Sequence, residues 1–203
     1  MNLRETYNRI AEDWYRHHKQ DDTWWVNGID KFVSYLKPGS LVLDIGCGGG
    51  TKSKHMIVRG LKVIGIDFSE KMIEIAKREV PGGEFQVMDM QEVASLEENF
   101  DGIFLQAVLL HVKKDAVVEV LRGLLEKLKK GGYMYVAVKE KRSEGMEEEM
   151  KREENYGYPY ERFFSYFTLD EMKKYLGRLG VEIIYENITL SKDTRWIQVI
   201  CKK

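Results

Sequence analysis

A glycine-rich turn directly after an apolar strand narrows the folds open to this chain. Residues 41–50, LVLDIGCGGG, run from apolar side chains into glycines at positions 46, 48 and 50, and a helix is expected over 51–59. Glycine lets the backbone turn sharply and approach a ligand, and the free N–H groups of the following helix face the same crevice. The turn therefore predicts a site for a nucleotide-like ligand, although strand-to-helix turns can also be rich in glycine for packing reasons.

The rest of the 203-residue chain alternates short apolar runs with helix-period segments, which is typical of βαβ units around a parallel sheet. Five runs are apolar enough to be covered on both faces. Two later runs have no helix between them and predict an antiparallel hairpin. We expect one α/β domain over residues 1–203. The predicted strands span residues 41–45, 62–66, 84–88, 102–105, 133–138, 181–185 and 196–201.

Capping signals mark three of the predicted helices. Ser69 is expected to cap one helix, and Thr168 with Glu171 forms a capping-box pattern at the start of another. A third helix is expected to open at Asp115 and to end at the glycine pair 131–132.

Two regions stand outside this pattern. Residues 1–36 are helical in pattern, with Tyr7 and Trp14 on one stripe, and are expected to form a lid over the crevice. Residues 140–167 form an insert that begins with a run of charged residues up to Glu154 and continues with an aromatic segment. The charge run predicts a solvated helix or a mobile loop.

Three aspartates, Asp44, Asp67 and Asp89, end the first three predicted strands and would lie along one carboxyl edge of the sheet. Asp67 is placed to bind ribose hydroxyls, a role shared by NAD and S-adenosylmethionine sites. Asp44 would lie close to a bound pyrophosphate, where two like charges 4 Å apart cost about 4 kcal/mol. A sulfonium compound with an ammonium group reverses that sign. Thr51 also stands where the dinucleotide fingerprint has glycine, so these residues favour a cationic adenosyl cofactor over NAD.

Five segments form a collinear set: LVLDIGCGGG (41–50), VIGIDFSEKMIEIAK (63–77), FQVMDM (85–90), FDGIFLQAVLLHV (100–112) and LKKGGYMYVAVKE (128–140). This set resembles the motifs of the class I S-adenosylmethionine-dependent methyltransferases. Within that superfamily, RFFSYFTLDEM (162–172) together with Arg195 and Trp196 resembles a group of small bacterial and archaeal members. The resemblance implies a Rossmann-like, mostly parallel seven-stranded sheet in the order 3-2-1-4-5-7-6, with the last strand antiparallel and helices on both faces. It also implies S-adenosyl-L-methionine as the cofactor, S-adenosyl-L-homocysteine as the product, and methyl transfer by in-line displacement.

The same resemblance assigns roles to residues along the crevice. Tyr7 is expected to close the cofactor pocket from the lid, or else only to pack its helix. The residues expected to hold the cofactor are Asp44 for the ammonium group, Gly46, Cys47 and Gly48 for the methionine part, Asp67 for the ribose, Phe68 and Met90 beside the adenine, Asp89 for the adenine amino group, and Leu105 and Gln106 for the rest of the methionine pocket.

Methyl transfer from a sulfonium needs alignment and exclusion of water rather than a nucleophilic side chain. Cys47 is therefore interpreted as a small spacer in a tight loop. His111, shortly after the fourth strand, is the candidate general base if the acceptor must lose a proton; helix capping, or a hydrogen bond that holds the loop, is the alternative. His55 is expected to be exposed. No histidine has metal-ligand spacing, so no metal is expected.

The methyl acceptor is expected between the lid and the sheet edge, near the insert 140–167. Trp14, Trp25 and Tyr160 are candidates to line its site, although each could equally belong to the core. An arginine inside an aromatic cluster needs an anionic partner. Arg162 is therefore expected to hold an acidic acceptor, or else to pair with one of the glutamates 147–149.

Composition bears on the class of acceptor. Lys+Arg 32 against Asp+Glu 33 gives a formal net charge of -1, so no global positive field would gather the phosphates of a nucleic acid. We therefore expect a small-molecule acceptor; a tRNA-modifying methyltransferase and a non-catalytic cofactor-binding partner subunit stay open as alternatives. Two cysteines without CxxC spacing predict a cytoplasmic location, and the lack of a long apolar stretch predicts no membrane contact. A monomer or homodimer is expected.

Overall fold

A seven-stranded sheet forms the centre of the computed structural model, which describes residues 2–19 and 24–203. Two further strands form a separate small sheet. In chain order the strands are β1 (Leu41–Ile45), β2 (Lys62–Asp67), β3 (Glu84–Val87), β4 (Phe100–Gln106), β5 (Leu128–Lys139), β6 (Glu148–Glu153), β7 (Tyr160–Ser165), β8 (Glu182–Ser191) and β9 (Thr194–Lys202).

The large sheet has the order β3-β2-β1-β4-β5-β9-β8. Strands β1 to β5 are parallel, and β9 is antiparallel to both of its neighbours. Counted without β6 and β7, this is the predicted order 3-2-1-4-5-7-6, so the prediction is confirmed. Val42 and Leu43, which follow one another on β1, are both fully buried. Because successive side chains of a strand point to opposite faces, both faces of the sheet are covered.

Six helices accompany the strands in the described residues: α1 (Leu3–His18), α2 (Val26–Val33), α3 (Thr51–Val58), α4 (Glu70–Glu79), α5 (Val117–Lys127) and α6 (Leu169–Arg178). Ser69 caps α4, and Thr168 with Glu171 forms the predicted capping box of α6. Asp115 does not cap α5, which has no side-chain cap and ends at Lys127. The glycine pair 131–132 lies inside β5 instead. No helix within the described residues is long and apolar enough to cross a membrane.

The second half of the charge run forms a strand, so the expectation of a solvated helix or a mobile loop is wrong for that half, while residues 141–147 form neither helix nor strand. Residues Glu148–Glu153 form β6, which pairs antiparallel with β7 from Glu148↔Ser165 to Glu153↔Tyr160. β6 has no apolar period, but its partner β7 carries the buried side chains of Phe164 and Ser165. Packing of β7 on the body of the protein therefore imposes the strand conformation, and local propensity is overridden.

The predicted lid region divides into two helices with different roles. On α1, Asn8 accepts hydrogen bonds from the Ser69 hydroxyl at 2.7 Å and from the Lys71 N–H at 3.2 Å, which fixes α1 against the start of α4. On α2, Ile29 and Phe32 are fully buried in the main core. Of these two helices, α1 therefore covers the crevice, while α2 supports the sheet. Residues 20–23 of the predicted lid lie outside the described residues.

Candidate active site

A cavity of about 290 Å³ opens at the carboxyl ends of β1, β2, β4 and β5. The strand order reverses between β1 and β4, and open α/β sheets bind ligands at such a switch point. Helix α1 covers the cavity. Most of the residues predicted for the site line it: Tyr7, Trp14, Asp44, Gly46, Cys47, Gly48, Asp67, Phe68, Gln106, His111 and Arg162.

The glycine loop after β1 has the backbone conformation that its sequence predicts. Gly46 and Gly48 adopt φ angles of 61° and 54°, in the left-handed region that favours glycine. A Cβ atom on Gly46 would lie 2.4 Å from Cγ2 of Val108, so this position has no room for a side chain. Cys47 between them is buried, and burial raises the pKa of its thiol well above the usual value. The cysteine therefore fits the interpretation of a small spacer.

Two carboxylates, buried Asp44 and half-buried Asp67, face the cavity from the ends of β1 and β2. Asp44 accepts a hydrogen bond from the Ser53 hydroxyl at 2.5 Å, and burial raises its pKa to about 7. Asp67 accepts from the backbone N–H groups of Gly48 at 3.0 Å and Ser69 at 2.8 Å, and burial raises its pKa to about 6. No described residue forms a salt bridge with either one. A positively charged ligand would therefore stabilise the ionised form of both.

Gln106, at the end of β4, carries unsatisfied polar atoms. Its amide oxygen and amide nitrogen are both buried, line the cavity and have no hydrogen-bond partner among the described residues. The next residue, Ala107, has a φ of 59°, which is rare for a residue other than glycine. Buried polar groups are normally hydrogen-bonded. The amide is therefore available to a polar ligand that both donates and accepts.

A hydrogen-bond chain crosses the other side of the cavity. The guanidinium of Arg162 donates to the Tyr7 hydroxyl at 3.1 Å, and this hydroxyl lies 2.8 Å from Nε2 of His111. Nδ1 of His111 lies 2.7 Å from the carbonyl oxygen of Phe163, which can only accept. Nδ1 therefore carries the proton, and Nε2 accepts from Tyr7. Burial, with the charges of Arg162 and Lys139, lowers the pKa of His111 to about 3.

Arg162 has a partner that the sequence did not indicate. Its Nε and Nη2 atoms donate to the two carboxylate oxygens of Glu153 at 2.7 and 2.9 Å. Both side chains are almost completely buried, with 13% and 10% of their surfaces exposed. The expected pairing with glutamates 147–149 is therefore wrong. It fails because Arg162 and Glu153 lie near each other on the β6–β7 hairpin, whose pairing the charge run did not reveal.

Lys139 and the turn between β8 and β9 also line the cavity, and the sequence prediction missed both. Lys139 is the last residue of β5, and Ser191, Lys192 and Thr194 come from the turn. The position of Lys139 at the carboxyl end of the fifth strand is a signal that could have identified it. The turn could not be placed because the predicted strands left residues 186–195 unassigned, whereas β8 extends to Ser191 and β9 begins at Thr194. The described residues contain no group of three or more His, Cys, Asp or Glu that could hold a metal ion.

Several predicted residues lie outside the cavity lining. Trp25 is buried against His55, with ring centroids 5.1 Å apart, and Tyr160 stacks on Tyr156. The remaining three are Leu105, buried on β4, and Asp89 and Met90, which follow β3 next to the end of β2. Asp89 caps the short 3₁₀ turn Met90–Ser95.

One incidental expectation also fails. His55 is not exposed, because it bonds Asp30 at 2.9 Å and keeps only 16% of its side-chain surface in solvent.

Comparison with known proteins identifies the family of this chain. A family described as "Methyltransferase domain" matches residues 15–186. The ubiquinone biosynthesis O-methyltransferase of Dechloromonas aromatica is 32% identical over 117 residues, which are 55% of this chain and 49% of that protein. The chain thus spans about half the length of the curated relatives that it matches.

Solved structures share the fold over nearly the whole chain. The 1,6-didemethyltoxoflavin-N1-methyltransferase of Burkholderia thailandensis, with 1,6-didemethyltoxoflavin and S-adenosylhomocysteine bound, has a TM-score of 0.76 at 18% identity, covering 99% of this chain and 87% of that chain. Magnesium protoporphyrin IX methyltransferase of Synechocystis PCC 6803, with S-adenosylhomocysteine bound, has a TM-score of 0.74 at 21% identity, covering 99% and 98%. Because the family match spans most of the chain and the fold agrees, the chain belongs to the methyltransferase-domain family and has the class I S-adenosylmethionine-dependent methyltransferase fold that its motifs predicted.

Proposed function

We propose that the protein binds S-adenosyl-L-methionine and transfers its methyl group to a small-molecule acceptor. The observation that carries this proposal is the pair of carboxylates, buried Asp44 and half-buried Asp67, which face one cavity and have no salt-bridge partner in the described part of the chain. Buried charges are normally paired or neutralised. A cationic ligand supplies the missing charge, and the family match supports the adenosyl sulfonium as that ligand.

The residues present fit this cofactor. Asp44 would hold its ammonium group, Asp67 its ribose hydroxyls, and the unsatisfied amide of Gln106 the methionine end. Asp89 and Met90, next to the end of β2, remain the proposed contacts of the adenine. When bound, the cofactor supplies an electrophilic methyl group. The backbone of Gly46 and Gly48 lets that end of the pocket close tightly around it.

Three features support a small acceptor. Helix α1 and strand β7 border the part of the cavity that the cofactor would leave unfilled. Little space therefore remains for a macromolecule to reach the sheet edge. The name of the Dechloromonas relative refers to ubiquinone biosynthesis, and the names of the two solved neighbours refer to 1,6-didemethyltoxoflavin and magnesium protoporphyrin IX. The formal net charge of -1 supplies no general attraction for tRNA.

Two buried free cysteines, Cys47 and Cys201, support a cytoplasmic location.

The protein's own part in the reaction is to align the acceptor and to exclude water. Tyr7 lies between the cofactor end of the cavity, at Asp44 and Asp67, and the acceptor end, at His111. Its ring lies edge-on to Phe68 with centroids 5.8 Å apart, and its hydroxyl is hydrogen-bonded to His111. Among the roles open to His111, the geometry favours positioning. Its Nε2 lone pair is already used by Tyr7, and a pKa of about 3 makes it a weak base. His111 thus holds the Tyr7 hydroxyl in place beside the space proposed for the acceptor.

Calorimetry with S-adenosylmethionine, followed by a methylation assay on small molecules and on tRNA, tests the proposal. We expect saturable binding of S-adenosylmethionine and of S-adenosylhomocysteine, and incorporation of labelled methyl into at least one small molecule. Failure to bind either compound would overturn the cofactor assignment. Binding with methyl incorporation into tRNA alone would replace the small-molecule acceptor, and binding without any incorporation would favour a non-catalytic partner subunit.

A further inference from the structure

Lys139 is a cation at the acceptor end of the cavity that has no carboxylate partner among the described residues. It ends β5, next to the end of β4, and its side chain lines the cavity together with His111 and Arg162. None of the salt bridges in the described residues includes it. Its ammonium group instead lies 4.0 Å from the ring centroid of Phe164. A positive charge therefore projects into the space that remains for the acceptor.

The neighbouring cation differs in this respect. Arg162 is held by both carboxylate oxygens of Glu153, so its charge is already balanced. The carboxylates of Glu153 and Glu149 act on Lys139 only at longer range. Burial and the charge of Arg162 lower the pKa of Lys139 to about 8. An anion placed beside Lys139 would reverse that shift, because an opposite charge favours the ionised amine.

The walls around Lys139 are aromatic. Trp24 and Trp196 line the cavity and stack on each other with ring centroids 4.1 Å apart, and the ammonium group lies 5.9 Å from the ring of Trp196. Phe164 completes this part of the lining. Aromatic walls favour a flat apolar group, while one fixed charge orients it. Together the aromatic walls and the ammonium group fit a ligand with a flat ring that carries a negatively charged oxygen.

We propose that Lys139 binds an oxyanion of the methyl acceptor, and that the acceptor is a small aromatic acid. This proposal rests on the proposed function, because the acceptor is the molecule that would receive the methyl group. The anion-binding site itself is present without the cofactor. The sequence predicted that Arg162 binds an acidic acceptor, but Glu153 already balances its charge. We assign that role to Lys139, which forms no salt bridge among the described residues. The negative oxygen meets the ammonium group while the ring lies among Trp24, Trp196 and Phe164.

The test uses 1-naphthoate and its neutral amide, 1-naphthamide, as probes. Both are titrated into the full chain at pH 7, with and without saturating S-adenosylhomocysteine, by calorimetry or by quenching of tryptophan fluorescence. We expect the acid to bind at least tenfold more tightly than the amide. Lys139→Met should abolish that preference by weakening the acid alone, and Lys139→Arg should retain it.

Lys130→Met is the matched control. It removes an exposed lysine of the same strand, β5, that does not line this cavity, and it should leave the preference intact. Equal affinities for acid and amide in the wild type would overturn the proposal, as would a preference that survives in Lys139→Met. Thermal unfolding of each variant establishes that the chain is folded, and Lys139→Gln, which also removes the charge, takes the place of Lys139→Met if that variant does not fold.

The two proposals fail in different ways. Loss of S-adenosylmethionine binding, with a naphthoate preference that depends on Lys139, would overturn the methyltransferase function and support the anion site. Methyl transfer to small molecules without any preference for the acid would support the function and overturn the anion site.

Discussion

The two ends of the cavity carry opposite charges and obtain them in different ways. At the cofactor end, Asp44 and Asp67 lie at the ends of neighbouring parallel strands. At the acceptor end, Lys139 comes from β5 and Arg162 from the separate β6–β7 hairpin. One end is therefore built from consecutive motifs of the sheet, and the other is assembled from segments that lie far apart in the sequence.

The charged residues of the cavity have two different roles: some stabilise the protein by pairing with each other, and others face a ligand. Arg162 is balanced by Glu153, and this pair forms part of the cavity wall. Asp44, Asp67 and Lys139 have no salt bridge in the described chain. An unbalanced buried charge destabilises the ligand-free protein, and its natural compensation is the ligand. The sign of each unbalanced group then indicates what should bind there.

The largest expected effect distinguishes the two cations of the acceptor end. Replacing Arg162 by Met leaves Glu153 buried and unpaired, so we expect the free energy of unfolding to fall by about 3–5 kcal/mol. Lys139→Met removes an unpaired cation and should change stability by less than about 1 kcal/mol. Urea denaturation of both variants measures the difference. The double variant Arg162→Met/Glu153→Gln should recover part of the loss, and equal stabilities of the two single variants would contradict the distinction.

The next effect concerns the cofactor end alone. Asp67→Asn keeps an oxygen that can accept from Gly48 or Ser69 but removes the charge that we assign to the ribose hydroxyls. We expect the affinity for S-adenosylmethionine to fall about a hundredfold, because hydrogen bonds to a charged group are worth about 1.5–3 kcal/mol. Calorimetry measures this. The preference for 1-naphthoate should be unchanged, and a parallel loss would show that the two ends are not independent.

A third effect appears as pH dependence of the ligand-free protein. Asp44 has a pKa of about 7 in the folded chain, against about 4 for an ordinary aspartate in the unfolded chain. Between these values the folded state binds more protons than the unfolded state, so stability falls as the pH rises from about 4 to 7.

Asp44→Asn should reduce this slope, leaving the part that comes from Asp67 with its pKa of about 6, and should stabilise the ligand-free protein at pH 7.5 by on the order of 2 kcal/mol while weakening S-adenosylmethionine binding. Asparagine can still accept from the Ser53 hydroxyl, so the substitution isolates the charge. Denaturation curves of both proteins from pH 4 to 8 provide the measurement. The same slope in wild type and variant would show that Asp44 is not the group responsible.

The sequence indicated the two ends of the cavity unequally, and the reason is physical. Asp44 and Asp67 could be identified because each ends a strand, and parallel strands place their carboxyl ends at one edge. The Glu153 partner of Arg162 could not, because β6 forms only through its pairing with β7, and β7 is fixed by packing. Trp25 illustrates the same limit: its pattern allowed a lid or a core position, and tertiary packing placed it against His55.

The smallest effect tests Tyr7, which lies where the two ends meet. Its ring contacts Phe68 on the cofactor side, and its hydroxyl joins Arg162 to His111 on the acceptor side. Tyr7→Phe removes only the hydroxyl, so we expect kcat to fall about tenfold, or about 1.4 kcal/mol, with little change in the affinity for S-adenosylmethionine.

The pH profile then distinguishes positioning from base catalysis at His111. Because its pKa is about 3, the imidazole stays neutral between pH 5 and 8, and kcat in the wild type should show no inflection from it in that range. His111→Gln keeps a side chain that can accept from Tyr7 and should retain more activity than His111→Ala at every pH. An inflection near pH 6.5 that disappears in His111→Gln would restore the general-base role. In that case the Tyr7 hydroxyl must leave Nε2 when the acceptor binds, and the two ends of the cavity would be coupled through that movement.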